Sequence, residues 1–95
     1  MNIVLVKFTE GATSAQKEDW KRRISFLPSA IPEIKSLVCG KKIAHARDQG
    51  WDDGVILTFD NIYDMHTYSD ATAHKEYQQA TAEQTADKLI FDIEA

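Results

Sequence analysis

A tyrosine and a histidine lie six residues apart in the stretch YSDATAHKEY, which covers residues 68–77. A neutral imidazole can take a proton from carbon or oxygen, and a phenol hydroxyl can hydrogen-bond the oxyanion that develops. His74 as general base and Tyr68 as oxyanion donor would therefore suit an oxo-substituted ligand. In the alternative interpretation, His74 is an exposed or hydrogen-bonded helix residue and Tyr68 packs in the core with its hydroxyl at the rim.

The two side chains can meet only if the helix that carries them is broken. On one continuous helix, residues six apart point about 120° away from each other. Ser69 and Asp70 can cap a helix, so a break is predicted there, with His74 in the first turn of the next helix. The positive end of that helix would favour neutral His74, whereas Asp70 would stabilise the imidazolium. The sequence leaves the direction of the His74 pKa shift open.

Other residue patterns offer weaker chemistry. His45 lies in a polar loop and His66 stands near Asp64, without the spacing of a helical zinc site. The sequence Trp51–Asp53 offers two adjacent carboxylates, which form a poor cage for a hard cation, and a solvated loop is favoured. We find no glycine-rich phosphate loop and no Gly-x-Ser-x-Gly motif. The sequence therefore predicts no metal site.

The hydrophobic pattern predicts four strands. Short apolar runs bounded by polar or turn-forming residues indicate strands over Asn2–Phe8, Ile34–Lys42, Val55–Phe59 and Asp87–Glu94. The polar segment before the third strand contains two glycines and is predicted to be a loop.

Helical spacing predicts two helical regions between these strands. Thr13 and Gln16 resemble a capping box that would start the first helix near Ser14, and Pro28 and Pro32 are expected to end it. The second region begins after a cap at Asp60 or Asn61. The order β-α-β-β-α-β predicts one α+β domain over residues 1–95. Its fold would be a ferredoxin-like sandwich with a four-stranded antiparallel sheet.

Both faces of this predicted sheet carry apolar side chains. The first strand alternates Ile3 and Leu5 with Val4, Val6 and Phe8, and the third and fourth strands show the same two-sided pattern. Helices on one side of the sheet would leave the other face uncovered. A homodimer that packs two sheets face to face would cover it, and a ligand pocket between sheet and helices is also compatible.

Composition narrows the partners and the location. The chain has 95 residues, a formal net charge of −4 and a pI of about 5.2, which argues against nucleic acid or an anionic membrane as the main partner. No apolar run approaches the ~20 residues of a membrane span, and the N-terminal segment resembles a first strand rather than a signal peptide. The single cysteine, Cys39, fits a reducing, cytoplasmic location.

Five stretches in order resemble the stress-responsive α/β-barrel (Dabb) family. They are IVLVKF, IPEIKSLVCGKK, GWDDGVILTF, YSDATAHKEY and KLIFDIE, and together they cover nearly the whole chain. The resemblance implies a dimeric α+β barrel. It also implies a pocket between helices and sheet, where a polyketide-cyclase member of the family uses a tyrosine and a histidine without metal or organic cofactor.

Carried over by position, Tyr68 and His74 match that catalytic pair. The resemblance also implies ligand-binding positions, occupied in this sequence by Asn2, Trp20, Ile24 and Asp53. Family members often have histidines where this chain has Asn2 and Asp53, and a His-Pro-x-His motif where it has Ala71–His74. These departures suggest a different substrate and leave the Tyr–His pair in place.

Three hypotheses for function follow. The first is a stress-associated homodimer that holds a small apolar or aromatic ligand, or none. The second is a cofactor-free cyclase or lyase that acts on a polyketide-like or other oxo compound. The third is a cofactor-free monooxygenase, by analogy with enzymes that share the dimeric barrel architecture.

Overall fold

A computed structural model describes residues 1–94 as one antiparallel sheet with helices on one face. The elements in chain order are β1 (Asn2–Phe8), α1 (Ser14–Ala30), β2 (Ser36–Cys39), β3 (Asp53–Thr58), α2 (Ile62–Asp70), α3 (Thr72–Thr81) and β4 (Thr85–Asp92). The strand order is β2-β3-β1-β4, so β2 and β4 are the edges. The predicted ferredoxin-like α+β architecture is confirmed, with the second helical region divided into two helices.

Helix α1 begins where the sequence predicts and ends later. The Thr13 hydroxyl accepts from the Gln16 amide and the Gln16 side chain accepts from the Thr13 amide, which completes the capping box. The prediction that Pro28 ends the helix is wrong, because α1 continues through Pro28 to Ala30. The helix ends just before Pro32, which disfavours helical backbone in the residue preceding it.

The strands differ from the predicted ranges only at their ends. β2 is shorter than predicted, because it pairs with β3 only from Ser36 to Cys39. β3 and β4 each begin two residues earlier than predicted. The end of a strand depends on where neighbouring strands offer backbone groups for pairing. The sequence of one strand alone does not show where its neighbours lie.

The core lies between the helices and three of the four strands. β1 and β3 contribute Val4, Val6, Val55 and Leu57 to it, and α1 contributes Trp20, Ile24 and Leu27. Alternation along the strands explains why every second residue of β1 and β3 is buried there. Within residues 1–94, no helix has the length and apolar character needed to cross a membrane.

The sheet face opposite the helices is apolar and exposed. The pairing register places one row of large apolar side chains across all four strands: Val38, Ile56, Ile3 and Phe91. Val38 and Phe91 are 62% and 56% exposed. Beside this row, Leu5 covers Gly54 so closely that a Cβ atom there would lie 2.9 Å from a Leu5 methyl carbon. The two-sided apolar pattern is thus confirmed, and the uncovered face suits a second sheet.

Replacing Phe91 by glutamate tests whether a second copy covers this face. Burying a phenylalanine contributes about 2 kcal/mol, and twofold symmetry applies the loss twice. We therefore expect the dissociation constant of a dimer to rise about a thousandfold, measured by size-exclusion chromatography with light scattering. Tyr63→Glu is the control, because Tyr63 is exposed on α2. A Phe91→Glu protein that keeps twice the chain mass at low micromolar concentration would rule out this face as the dimer interface.

Candidate active site

A one-residue interruption between α2 and α3 brings Tyr68 and His74 together. α2 ends at Asp70, and Ala71 has extended backbone before α3 begins at Thr72. The ring centroids of Tyr68 and His74 lie 4.3 Å apart at an interplanar angle of 35°. The predicted break is confirmed, but Ala71 occupies the N-cap position and makes no side-chain cap, so Ser69 and Asp70 do not cap α3.

The backbone turn also fixes which nitrogen of His74 carries the proton. His74 is the third residue of α3, and its Nδ1 lies 3.2 Å from the carbonyl oxygen of Ser69. A carbonyl oxygen only accepts, so Nδ1 of the neutral ring is the donor. Nε2 then keeps its lone pair, and among residues 1–94 it has no hydrogen-bond partner. The ring therefore presents the atom that a general base needs.

Burial decides the charge of His74. Desolvation lowers the pKa of the half-buried His74 imidazole, the Ser69 carbonyl opposes that effect, and the positive charge of Lys88 lowers the pKa again. The net direction is below the ordinary histidine value, so the ring is neutral at pH 7. Asp70 is not among the causes. The question that the sequence left open is answered in favour of the neutral form.

Tyr68 is a protonated donor in the same environment. It is 4% exposed, and its ring lies 5.2 Å from that of Phe59. Burial raises the pKa of the Tyr68 hydroxyl well above the ordinary value, and the nearby Tyr77 and Asp92 raise it further. In the described part of the chain the hydroxyl hydrogen-bonds no other group, so its proton is available to a ligand.

The helices leave the inner face of β4 open, and this opening adjoins the Tyr–His pair. None of the β4 residues is buried, and Ile90 is 59% exposed although it lies opposite the buried Val4 on the helix side. We use the term β4 cleft for this opening. Its helix wall is Tyr68, His74 and Tyr77, and its strand wall is Lys88, Ile90 and Asp92.

Tyr77 is a member of this cleft that sequence reasoning missed. Its ring stacks with His74 at 6.2 Å between centroids and an interplanar angle of 18°. Burial raises the pKa of Tyr77 to about 12. The Trp20 indole N–H lies close enough to lower that pKa without reaching hydrogen-bond geometry. The signal in the sequence was the three-residue spacing from His74, which places both residues on one helix face.

A second opening meets the cleft at Asp92. It has a volume of about 330 Å³ and lies between the start of α2 and the ends of β1 and β4. Phe59, which packs on Tyr68, and Asp92 are among its lining residues.

The four predicted ligand-binding residues do not form one cluster. Asn2 is 7% exposed, lies at the Asp92 end of the cleft, and donates from Nδ2 to Asp92 Oδ1 at 2.5 Å. Its Oδ1 is buried and finds no donor among residues 1–94. Asp53 instead pairs with Lys21 at 3.2 Å, near the opposite end of β3.

Trp20 and Ile24 are core residues in this structure. They are 0% and 1% exposed, and Trp20 packs edge-on against Phe8 with ring centroids 5.6 Å apart. Both belong to the same core cluster as Tyr68 and Tyr77 of the helix wall, and Trp20 lies near the Tyr77 hydroxyl. Direct contact between a ligand and Trp20, Ile24 or Asp53 stays a prediction.

Metal-ligating residues do not cluster in the described residues. No group of three or more His, Cys, Asp or Glu side chains within residues 1–94 could hold a metal ion. Cys39 is partly buried on β2, and desolvation raises the pKa of its thiol. A raised pKa reduces the thiolate fraction, so Cys39 is a weak nucleophile.

A family model for the stress responsive A/B barrel domain matches residues 2–95. The chain belongs to this family. Olivetolic acid cyclase from Cannabis sativa is 26% identical over 92 residues, which are 96% of this chain and 91% of the cyclase. The family assignment and the cyclase similarity agree with the resemblance read from the five sequence stretches.

Two solved structures show the same fold in family-sized chains. A protein from Arabidopsis thaliana superposes with a TM-score of 0.90 at 20% identity, covering 99% of this chain and 92% of that one. A dimeric ferredoxin-like protein of unknown function from Thermobifida fusca has a TM-score of 0.80 at 27% identity. The superposition covers 95% of this chain and 84% of that protein. The chain therefore shares its fold with these two proteins over nearly its whole length.

The lowered pKa of His74 predicts a specific pH dependence of stability. The unfolded ring titrates near 6.5 and the folded ring titrates lower, so the unfolded state binds more protons in between. The His74 contribution is therefore complete above about pH 6.5 and is lost as the pH falls through the folded pKa. We expect wild type to lose more stability than His74→Gln in urea unfolding between pH 7.5 and 5.0.

An NMR titration of the histidine ring protons gives the independent check. The His74 resonance should titrate with a midpoint below 6.5, assigned by its absence in His74→Gln. A midpoint above 6.5 would contradict the buried, neutral ring.

Proposed function

We propose that the protein is a homodimer that binds a small aromatic or apolar oxo compound in the β4 cleft and acts on it without an organic cofactor. The reaction type is that of a cyclase or lyase, with His74 as the base and Tyr68 as the hydrogen-bond donor. One observation carries this proposal. His74 Nε2 and the Tyr68 hydroxyl belong to rings whose centroids lie 4.3 Å apart, and neither atom has a hydrogen-bond partner among residues 1–94.

The chemistry begins with proton transfer from carbon. His74 Nε2 takes a proton from the carbon next to a ligand carbonyl, while Nδ1–H stays bonded to the Ser69 oxygen. The electron pair of the broken C–H bond moves into the carbonyl, and its oxygen becomes an enolate oxyanion. The Tyr68 hydroxyl donates a hydrogen bond to that oxyanion in a partly water-excluded site.

Ring closure would complete a cyclase reaction. The enolate carbon attacks a second carbonyl carbon of the same ligand, so a carbon–carbon bond forms and the second C=O π bond breaks. The oxygen of that carbonyl takes the proton back from His74, which regenerates neutral imidazole. Atoms and electrons balance without an oxidant, reductant or metal ion.

The cyclase similarity supports the reaction class, and the sequence departures point to another substrate. The relative named olivetolic acid cyclase covers nearly the whole chain. Asp92 is exposed at the end of the cleft where Asn2 lies, and its carboxylate accepts a hydrogen bond from Asn2. A carboxylate has further lone pairs, so a ligand hydroxyl at that position can also donate to Asp92. We infer that the ligand carries a donor near the Asn2–Asp92 end.

The homodimer and the location are parts of the same proposal. The exposed apolar sheet face supports a dimer, as does the Thermobifida fusca relative, which is described as dimeric. A dimer formed through that face would leave the β4 cleft open on the helix side. The cytoplasmic location is supported by the single, partly buried Cys39.

Deuterium exchange tests the proton-transfer step without knowledge of the natural substrate. The probe is 3-benzoylpropionate, an aromatic ketone whose α-protons exchange slowly with D₂O and are visible by ¹H NMR. We expect wild-type protein to accelerate that exchange. His74→Gln should reduce the acceleration by about 10²–10⁴-fold, because it removes the base. Tyr68→Phe should reduce it less, since it removes one hydrogen bond to the oxyanion.

His66→Gln is the matched control, because His66 is an exposed histidine on α2. It should exchange the probe at the wild-type rate. Equal rates for wild type and His74→Gln would exclude His74 as the base. Circular dichroism of each variant ensures that rate losses are not caused by unfolding.

A further inference from the structure

We propose that Lys88 is a specificity-determining residue of the β4 cleft and binds a carboxylate on the ligand, so that the substrate is an anionic oxo compound. This inference rests on the proposed function for the location of the ligand, and it adds the charge of that ligand. Four observations about Lys88 carry the inference. Lys88 lies on the inner face of β4, has no ion-pair partner among residues 1–94, lies close to Tyr77, and is within a ligand's length of His74.

The pairing register places Lys88 on the inner face of the edge strand. Lys88 lies opposite Val6, which is fully buried against the helices. Asp87, the adjacent acid, lies opposite Lys7 and therefore on the other face of the sheet. Lys88 thus points into the cleft, while the nearest acid in sequence points away from it.

The ammonium group of Lys88 has no carboxylate partner among residues 1–94. The salt bridges in the described part of the chain use other cations: Lys21, Arg22, Arg23, Lys35 and Lys42. On the inner face of β4, the next acid is Asp92, four residues away and bonded to Asn2. Burial lowers the pKa of half-buried Lys88, and no charged group among residues 1–94 offsets that effect. A bound anion would supply the missing partner.

The aromatic wall sets the size of the ligand that can bridge Lys88 and His74. Lys88 Nζ lies 5.8 Å from the Tyr77 ring centroid, and the His74 ring lies 6.2 Å from the same centroid. The ammonium is therefore at most about 12 Å from the base. A ligand with its reactive carbon at His74 and its carboxylate at Lys88 must span no more than this limit. The γ-keto acid 3-benzoylpropionate meets that condition, because one methylene separates its reactive carbon from its carboxylate.

A purely structural role is the competing explanation. Inward-pointing lysines on edge strands prevent pairing with another chain, and Lys88 also makes a cation–π contact with Tyr77. Neither role makes binding depend on the charge of a small molecule. The discriminating measurement is therefore a comparison of two ligands of the same shape and different charge.

The experiment measures binding of 3-benzoylpropionate and of its neutral primary amide to the full chain by NMR titration. Wild type should bind the carboxylate more tightly than the amide. Lys88→Met keeps the apolar stem and removes the charge, so it should weaken carboxylate binding about ten- to hundredfold. Amide binding should stay within about twofold, since the amide forms no ion pair with Lys88. Lys75→Met is the matched control, because Lys75 is exposed on α3.

The outcomes separate this inference from the proposed function. His74→Gln should reduce the acceleration of α-proton exchange by about 10²–10⁴-fold and keep the preference for the carboxylate. A wild-type protein that fails to accelerate exchange and still prefers the carboxylate in a Lys88-dependent way is a separate result. That result would refute the proposed catalysis and support the anion site. Equal effects of Lys88→Met and Lys75→Met would show a general charge effect and overturn the inference. An unchanged preference for the carboxylate in Lys88→Met would also overturn the inference. Failure of wild type to bind either probe would overturn it as well.

A second measurement guards against misfolding of Lys88→Met. The positive charge of Lys88 lowers the pKa of His74, so its removal should raise the NMR titration midpoint of His74 in a folded protein. Lys88→Gln provides a second neutral variant and should show the same loss of carboxylate preference. A Lys88→Gln protein with wild-type preference would also overturn the inference.

Discussion

The sheet has two apolar faces and only one layer of helices, and this imbalance governs the rest of the molecule. The helices bury the inner faces of β1 and β3 and leave β4 without a buried residue. On the outer face, a row of aliphatic and aromatic side chains crosses all four strands without cover. The described residues cover one face and leave the other exposed. One face is therefore suited to a second copy, and the edge of the other is open for a ligand.

Burial sets the protonation of the two candidate catalytic groups in a compatible way. It lowers the pKa of His74 and raises that of Tyr68, so both are uncharged near pH 7. A neutral imidazole with a free Nε2 accepts a proton, and a protonated phenol donates a hydrogen bond. Desolvation is the largest cause of both shifts, and it favours the uncharged form of each residue. The Ser69 carbonyl adds the remaining constraint by fixing the proton of His74 on Nδ1.

The shared fold does not fix the ligand, because the side chains around the Tyr–His pair decide which ligand can bind there. Asn2 and Asp92 bond to each other at one end of the cleft, and Lys88 stands without an ion-pair partner near Tyr77 within the described residues. A polar pair and a single cation around one base suit a ligand with both a donor and an anionic group. The cyclase similarity at 26% identity is compatible with such a change of substrate.

The sequence by itself determined the order of the elements, the capping box of α1 and the apolar character of both sheet faces. These features depend on local periodicity and on neighbours a few residues apart. It also predicted a helix break between Tyr68 and His74, at Ser69–Asp70, which the structure places at Ala71. Only the tertiary structure decided the sign of the His74 pKa shift, because desolvation and the Lys88 charge come from packing against a distant strand. The same packing separated Asp53 from the cleft by pairing it with Lys21, a contact that no sequence spacing predicts.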